Sequence, residues 1–143
     1  MASSGAKRLK GEGLYVNNTV SASDWFLKPH DDVRSSNFLE DIGTEFLVQG
    51  LELDWCIFAW DADFRYKANQ FQHWKFRGTK WQNILNDSQK KYLENSYRVL
   101  LTRARQGMII FVPKVSPDDL TRLPSFYDET FDYLKACGLL ELQ

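Results

Sequence analysis

Histidine and cysteine are scarce in this 143-residue chain, at two each. Cys56 and Cys137 stand far apart with no CxxC-type spacing, so the sequence reads them as reduced, buried thiols. His30 and His73 are too few for a histidine-based zinc site without carboxylate help. No apolar run is long enough to span a bilayer, and Lys7, Arg8 and Lys10 are not followed by the apolar stretch of a secretory signal. The expectation is a cytoplasmic protein with no membrane partner. In that setting the glycosylation-type strings Asn17-Asn18-Thr19 and Asn86-Asp87-Ser88 carry no consequence. Charge of one sign is also lacking: the formal net charge is -1, so any nucleic-acid contact must come from a local patch. There are no internal repeats and no low-complexity tail. A P-loop of the form G-x-x-x-x-G-K-[ST] is missing as well. The nearest string, Gly78-Thr79-Lys80, has the wrong order and no buried strand before it.

What is present suits one soluble domain with a real core: 43% hydrophobic and 26% charged residues. Five Trp, six Tyr and ten Phe require either a large core or a stacking surface. Ser3 to Leu9 reads as a short capped helix ending near Gly11 or Gly13. Asn37-x-x-Glu40 resembles a capping box opening a helical turn, with Asp41 to Phe46 extended after it. Trp55 to Trp60 is a continuous apolar run suited to a strand buried on both faces. Asp63 to Trp81 is polar, basic and aromatic without clear periodicity, an excursion from the sheet. Asn86-x-x-Gln89 opens a helix whose face is Leu93, Tyr97, Leu100, Leu101 and Ala104, with Gly107 ending it. Met108 to Val112 is a second buried strand, and Tyr127, Phe131 and Leu134 share the face of a last helix closed by Gly138. The order strand, excursion, helix, strand, helix predicts a three-layer α/β domain with a parallel sheet, and ligands at the carboxyl ends of its strands.

Two strings stand beside the strands. Thr44-Glu45-Phe46-Leu47-Val48-Gln49-Gly50-Leu51-Glu52-Leu53-Asp54 precedes the first, and Tyr97-Arg98-Val99-Leu100-Leu101-Thr102-Arg103-Ala104-Arg105 precedes the second. Each alone is open to a plain reading as a turn or a solvated basic face. Together and in this order they resemble motifs V and VI of superfamily 1 helicases, in the second RecA-like domain. The chain is still more similar to a bacterial family of uncharacterised helicase-like ATPases related to the Schlafen helicase domain, from about Ser3 to Gly138. That resemblance implies an incomplete RecA-like domain lacking the P-loop, the C-terminal part (residues 1–143) of a helicase-like ATPase. ATP and Mg2+ would then be handled only together with a P-loop-bearing first RecA-like domain. It implies that Arg103 is the arginine reaching across a cleft to the γ-phosphoryl oxygens, where a planar, always-charged fork suits spread negative charge. Gly50 would let backbone N–H groups approach the γ-phosphate, Gln49 would make a polar contact near phosphate and Glu52 would hold the ribose. Thr44 would support the motif V loop or contact the nucleic-acid backbone. Phe46 departs from the histidine common at that place, which puts stacking or core packing there instead. Arg34 is either a second phosphate contact or a surface arginine paired with Asp31 or Asp32.

Two further readings come from the residues themselves. Asp54, Asp61 and Asp63 near a strand suggest a metal-dependent nuclease, against a plain reading of Asp61 as a cap. The stretch Phe64 to Trp81 holds Arg65, Lys67, Lys75, Arg77 and Lys80, no acidic residue, and Phe64, Tyr66, Phe71, Trp74, Phe76 and Trp81 interleaved. Cations for phosphates and rings for bases are how single-stranded nucleic acid is held. The same rings would equally serve to fold a loop onto the core.

Overall fold

The computed structural model describes residues 1–17 and 19–142; Asn18, and with it the first glycosylation-type string, lies outside the described residues. The chain is mixed α/β. Strands β1 (Leu53–Ala59) and β5 (Ala104–Phe111) form a two-stranded parallel sheet. Strands β2 (Phe64–Lys67), β3 (Gln70–Arg77) and β4 (Lys80–Asn83) form an antiparallel meander. The helices are α1 (Ala22–Leu27), α2 (Glu45–Val48), α3 (Asp87–Leu101) and α4 (Asp128–Ala136), with short 3-10 turns at Lys7–Glu12 and Pro124–Phe126. No helix among the described residues is long and apolar enough to cross a membrane.

Helix α3 follows its sequence closely. The Asn86 side chain accepts from the Gln89 N–H at 3.0 Å and satisfies one of the free donors of the first turn. Leu93, Ser96, Tyr97 and Leu100 are buried at i, i+3, i+4 and i+7. The helix nevertheless ends at Leu101, not near Gly107. Ala104 is already paired with Leu53 in the sheet, so strand pairing takes over from helical periodicity there. Gly107 lies inside β5, opposite Trp55, and a Cβ there would stand 2.1 Å from the Trp55 ring. Its lack of a side chain serves a close packing contact, and it terminates nothing.

Strand β1 is buried on one face only. Cys56 and Phe58 point inward, while Trp55 is 67% and Ile57 44% exposed. The expectation of a strand covered on both faces is corrected. The main core gathers Trp25, Val48, Phe58, Trp60, Phe64, Ile84, Leu93, Tyr97 and Leu100 between the two sheets and α3. A smaller apolar cluster of Ala2, Ala6, Leu9 and Ala59 seats the N-terminal segment, where Ala2 bridges Ala59 in parallel.

Two local expectations also fail. Asn37 and Phe38 close a turn begun at Ser35, and Leu39, at φ 65°, and Glu40 have no regular structure, so no capped helical turn forms there. Residues 45–48, expected to be extended in part, are helix α2, which Thr44 caps through its carbonyl, accepting from Leu47 and Val48. The aperiodic excursion is the β2–β3–β4 meander. Its first hairpin turns through Ala68 and Asn69, both at positive φ (52° and 63°), and its second through Gly78 at φ 60°. Positive φ at both central residues is the two-residue turn whose twist matches its strands.

Candidate nucleotide-facing edge and nucleic-acid surface

The two motif strings meet at the amino ends of β1 and β5. The Leu53 N–H donates to the Arg103 carbonyl at 2.9 Å and starts the pairing. The Arg103 guanidinium then closes the gap with three bonds: Nε to the Val99 carbonyl at 2.9 Å, Nη1 to the Leu51 carbonyl at 2.9 Å, and Nη2 to the Thr102 hydroxyl at 3.1 Å. The Val99 carbonyl, at the end of α3, also accepts from the Thr102 N–H at 3.3 Å. Gly50 turns the chain at φ +82°, and nothing lies within 4 Å of where a Cβ would stand. Gln49, Gly50 and Glu52 are exposed, and Glu52 pairs loosely with Arg105 at 3.6 Å. The cations of this edge are already engaged: each Arg103 guanidinium nitrogen donates within the chain and Arg105 faces Glu52.

This edge lies opposite the carboxyl ends, where ligands were expected. Those ends are filled. Asp61 accepts from the Arg8 N–H at 2.9 Å, the Ala62 N–H at 2.7 Å and the Tyr127 hydroxyl at 2.9 Å. Asp63 accepts from the Ser3 hydroxyl at 3.0 Å and makes a short bond with the Tyr97 hydroxyl. Burial pushes both carboxyls up; Asp63, further raised by the neighbouring Asp61 charge, reaches about 7. Asp61 is therefore an anchor for the N-terminal segment. Asp54 is exposed at the other end of β1. Among the described residues no group of three His, Cys, Asp or Glu is placed to hold a metal ion, so the geometry gives the nuclease reading no centre.

Around the edge, Thr44 is only 3% exposed, which leaves its side chain inside the loop that it supports. Glu45 ties the same loop to the N-terminal segment by accepting from the Ser4 N–H and hydroxyl at 2.8 and 2.6 Å. Phe46 is 58% exposed and faces Tyr92 with ring centroids 6.3 Å apart, a surface pair and not core packing. The Arg34 guanidinium is taken up by Asp32 at 2.8 Å and Asp24 at 3.4 Å.

The meander divides its rings between two faces, as the two-residue period of a strand requires. Phe64 and Phe71 stack on each other at 4.5 Å and pack with Trp60, while Tyr66 stacks on Tyr133 of α4. Trp74 and Trp81 instead enclose Arg65, whose guanidinium carbon stands 4.7 and 4.9 Å from their ring centroids and 4.0 Å from that of Phe126. The core alternative is thus realised on one face, while on the other the rings pack around a cation of the chain itself. At 2% exposure, Arg65 is no open phosphate contact. Lys75, Arg77 and Lys80 lie on the β3–β4 hairpin and Lys67 at the end of β2; Arg77 and Lys80 are exposed and Lys67 and Lys75 half-buried. Phe126, Leu120 and Thr121, which complete the surroundings of Arg65, were missed because no local pattern connects a distant loop to the meander.

Residues 1–114 match the family described as Schlafen group 3, DNA/RNA helicase domain. The chain belongs to the Schlafen group 3 helicase-domain family. The match contains both motif strings, the meander and β5, and stops before α4. A helicase-related role on nucleic acid follows for the Schlafen-type domain. No curated protein matches it, and no solved structure does.

Proposed function

We propose that this chain is the second RecA-like half of a superfamily 1 helicase-like ATPase, supplying an arginine finger and nucleic-acid contacts to a partner domain that carries the P-loop. One observation supports this above the others: the motif V turn and the motif VI arginine form a single hydrogen-bonded unit, with Arg103 Nη1 on the Leu51 carbonyl. ATP is the substrate, and Mg2+ would accompany it on the P-loop domain. Arg103 stabilises the charge of the transferring phosphoryl group, Gly50 admits backbone donors, Gln49 adds a polar contact and Glu52 holds the ribose once it leaves Arg105. Phosphoryl transfer asks little more of a protein than such positioning and charge. Lys75 and Arg77 of the meander provide the contacts to single-stranded nucleic acid, with Arg34 and Thr44 reduced to structural parts.

The test is kinetic, in the protein that joins this chain to its P-loop domain. Arg103→Ala should lower kcat by roughly 10³–10⁵ with an unchanged circular-dichroism spectrum. Arg103→Lys should not restore it, because a point charge cannot replace the fork. Normal turnover by the alanine variant would remove Arg103 from the reaction.

A further inference from the structure

Between the open face of the meander and the loop before α4 lies a cleft of about 530 Å³. That volume falls within the roughly 300–1,000 Å³ usual for small-ligand sites. Its lining includes Arg65, Lys67 and Lys80 and no acidic residue, in a chain of net charge -1. Trp74, Trp81 and Phe126 supply aromatic walls. Arg65 is the unusual member. Its Nε donates to the Ala62 carbonyl at 2.7 Å, but Nη2 is buried with no hydrogen-bond partner. A buried guanidinium donor without a partner is costly unless something else compensates it. Burial holds Arg65 down to about 10, so it remains a cation at neutral pH. Among the described residues, neither Lys67 nor Lys80 has a carboxylate within ion-pair distance.

We propose that this cleft binds one nucleotide, with its phosphate between Lys67 and Lys80 over the Arg65 floor and its base against the Trp74–Trp81 wall. Cations and indoles in one recess are the combination that holds an unstacked nucleotide: the ammonium groups take the phosphate, the buried guanidinium adds its charge from beneath, and any base can lie on an indole. The site is separate from the motif edge, since neither Arg103 nor residues 49–52 line it. It deepens the nucleic-acid part of the proposed function by turning a basic surface into a defined socket, and it stands apart from the arginine-finger part. The nucleotide has two sources, a residue of a single strand or a free mononucleotide.

Titration of the full chain with thymidine monophosphate, followed by tryptophan fluorescence, and with a labelled oligothymidylate, followed by anisotropy, separates these sources. The Lys67→Ala/Lys80→Ala double variant, altered only at side chains that reach solvent, should weaken binding by roughly tenfold or more. Loss of both ligands in the double variant supports the socket for either source. Loss of the oligonucleotide alone assigns it to a single strand, and loss of the mononucleotide alone to a free nucleotide. Equal binding by the double variant and the parent overturns the socket, as does equal displacement by an acidic peptide, which would make it a mere anion trap. If the oligonucleotide binds through Lys75 and Arg77 while the double variant is unaffected, only the socket fails. If no oligonucleotide binds at all, the nucleic-acid part of the proposed function fails with it, unless the mononucleotide still requires Lys67 and Lys80.

Discussion

The most consequential single residues are buried acids, not the exposed cations that first draw the eye. Asp63 holds its proton more firmly folded than unfolded, because burial and the adjacent Asp61 raise it to about 7. Between the ordinary carboxylate value near ~4 and that point, the folded chain keeps a proton that the unfolded chain has released. This carboxyl's contribution to stability should therefore fall as pH rises from about 4 to about 7, whereas the Met1 amino group, which burial lowers to about 6, makes stability rise between about 6 and 8. Each unit of pH is worth up to about 1.4 kcal/mol per proton, enough to move a melting temperature by a few degrees. Asp63→Asn retains an acceptor for Tyr97 and Ser3 and should flatten the fall between about 4 and 6, leaving there the part due to Asp61, whose shift has the same sign. Thermal melts across that range check it; a parent curve that rises with pH would contradict it. Arg65 shows the limit of reading residues from sequence. It is one of five cations in an acid-free stretch, and it is enclosed by Trp74 and Trp81 of the meander together with Phe126 from a distant turn.

At the scale of elements, α3 was legible because its cap and its apolar spacing are both local, and β1 and β5 because their apolar runs are continuous. The meander was not. Strand β3, Gln70–Arg77, carries rings on both faces, which erases the alternation that marks a half-buried strand. Its turns offered a signal all the same: Asn69 and Gly78 tolerate the positive φ of two-residue hairpins. The end of α3 was misplaced because Gly107 looks like a helix stop and is in fact the floor beneath Trp55. Gly107→Ala should destabilise the chain by about 1–3 kcal/mol, the range for over-packing, with the low end favoured because Trp55 is largely exposed and can swing aside. Trp55→Ala in the same chain should relieve most of that cost, and a double-mutant cycle in urea measures the coupling. Additive effects would mean that the two residues do not meet. The meander carries its own prediction for single strands. If three of its cations meet phosphates, log K against log salt should slope by about −2, and Lys75→Ala or Arg77→Ala should each flatten it by about 0.7. A slope unchanged by either substitution would move the nucleic acid elsewhere.

At the scale of the molecule, a buried network holds the motif edge and the meander together. The N-terminal segment is pinned to Asp61, Asp63 and Glu45, which closes the carboxyl ends of β1 and leaves the amino-end edge, with Gly50 and Arg103, facing out. The sequence-level expectation of a ligand at the carboxyl ends rested on parallel sheets in general, and could not foresee that these acids are consumed by the chain's own first residues. The motif strings, by contrast, carried the family and the helicase-related role, because their chemistry is local and their order specific. On the proposed reading, this edge, with cations and a glycine turn, assists phosphoryl transfer only from across a cleft. ATP turnover by the purified chain, measured with magnesium before and after it is joined to a P-loop-bearing first domain, tests that claim most directly. The account predicts none from the chain alone and magnesium-dependent turnover from the joined protein; turnover by the pure chain that is abolished by a substitution within it would contradict the account.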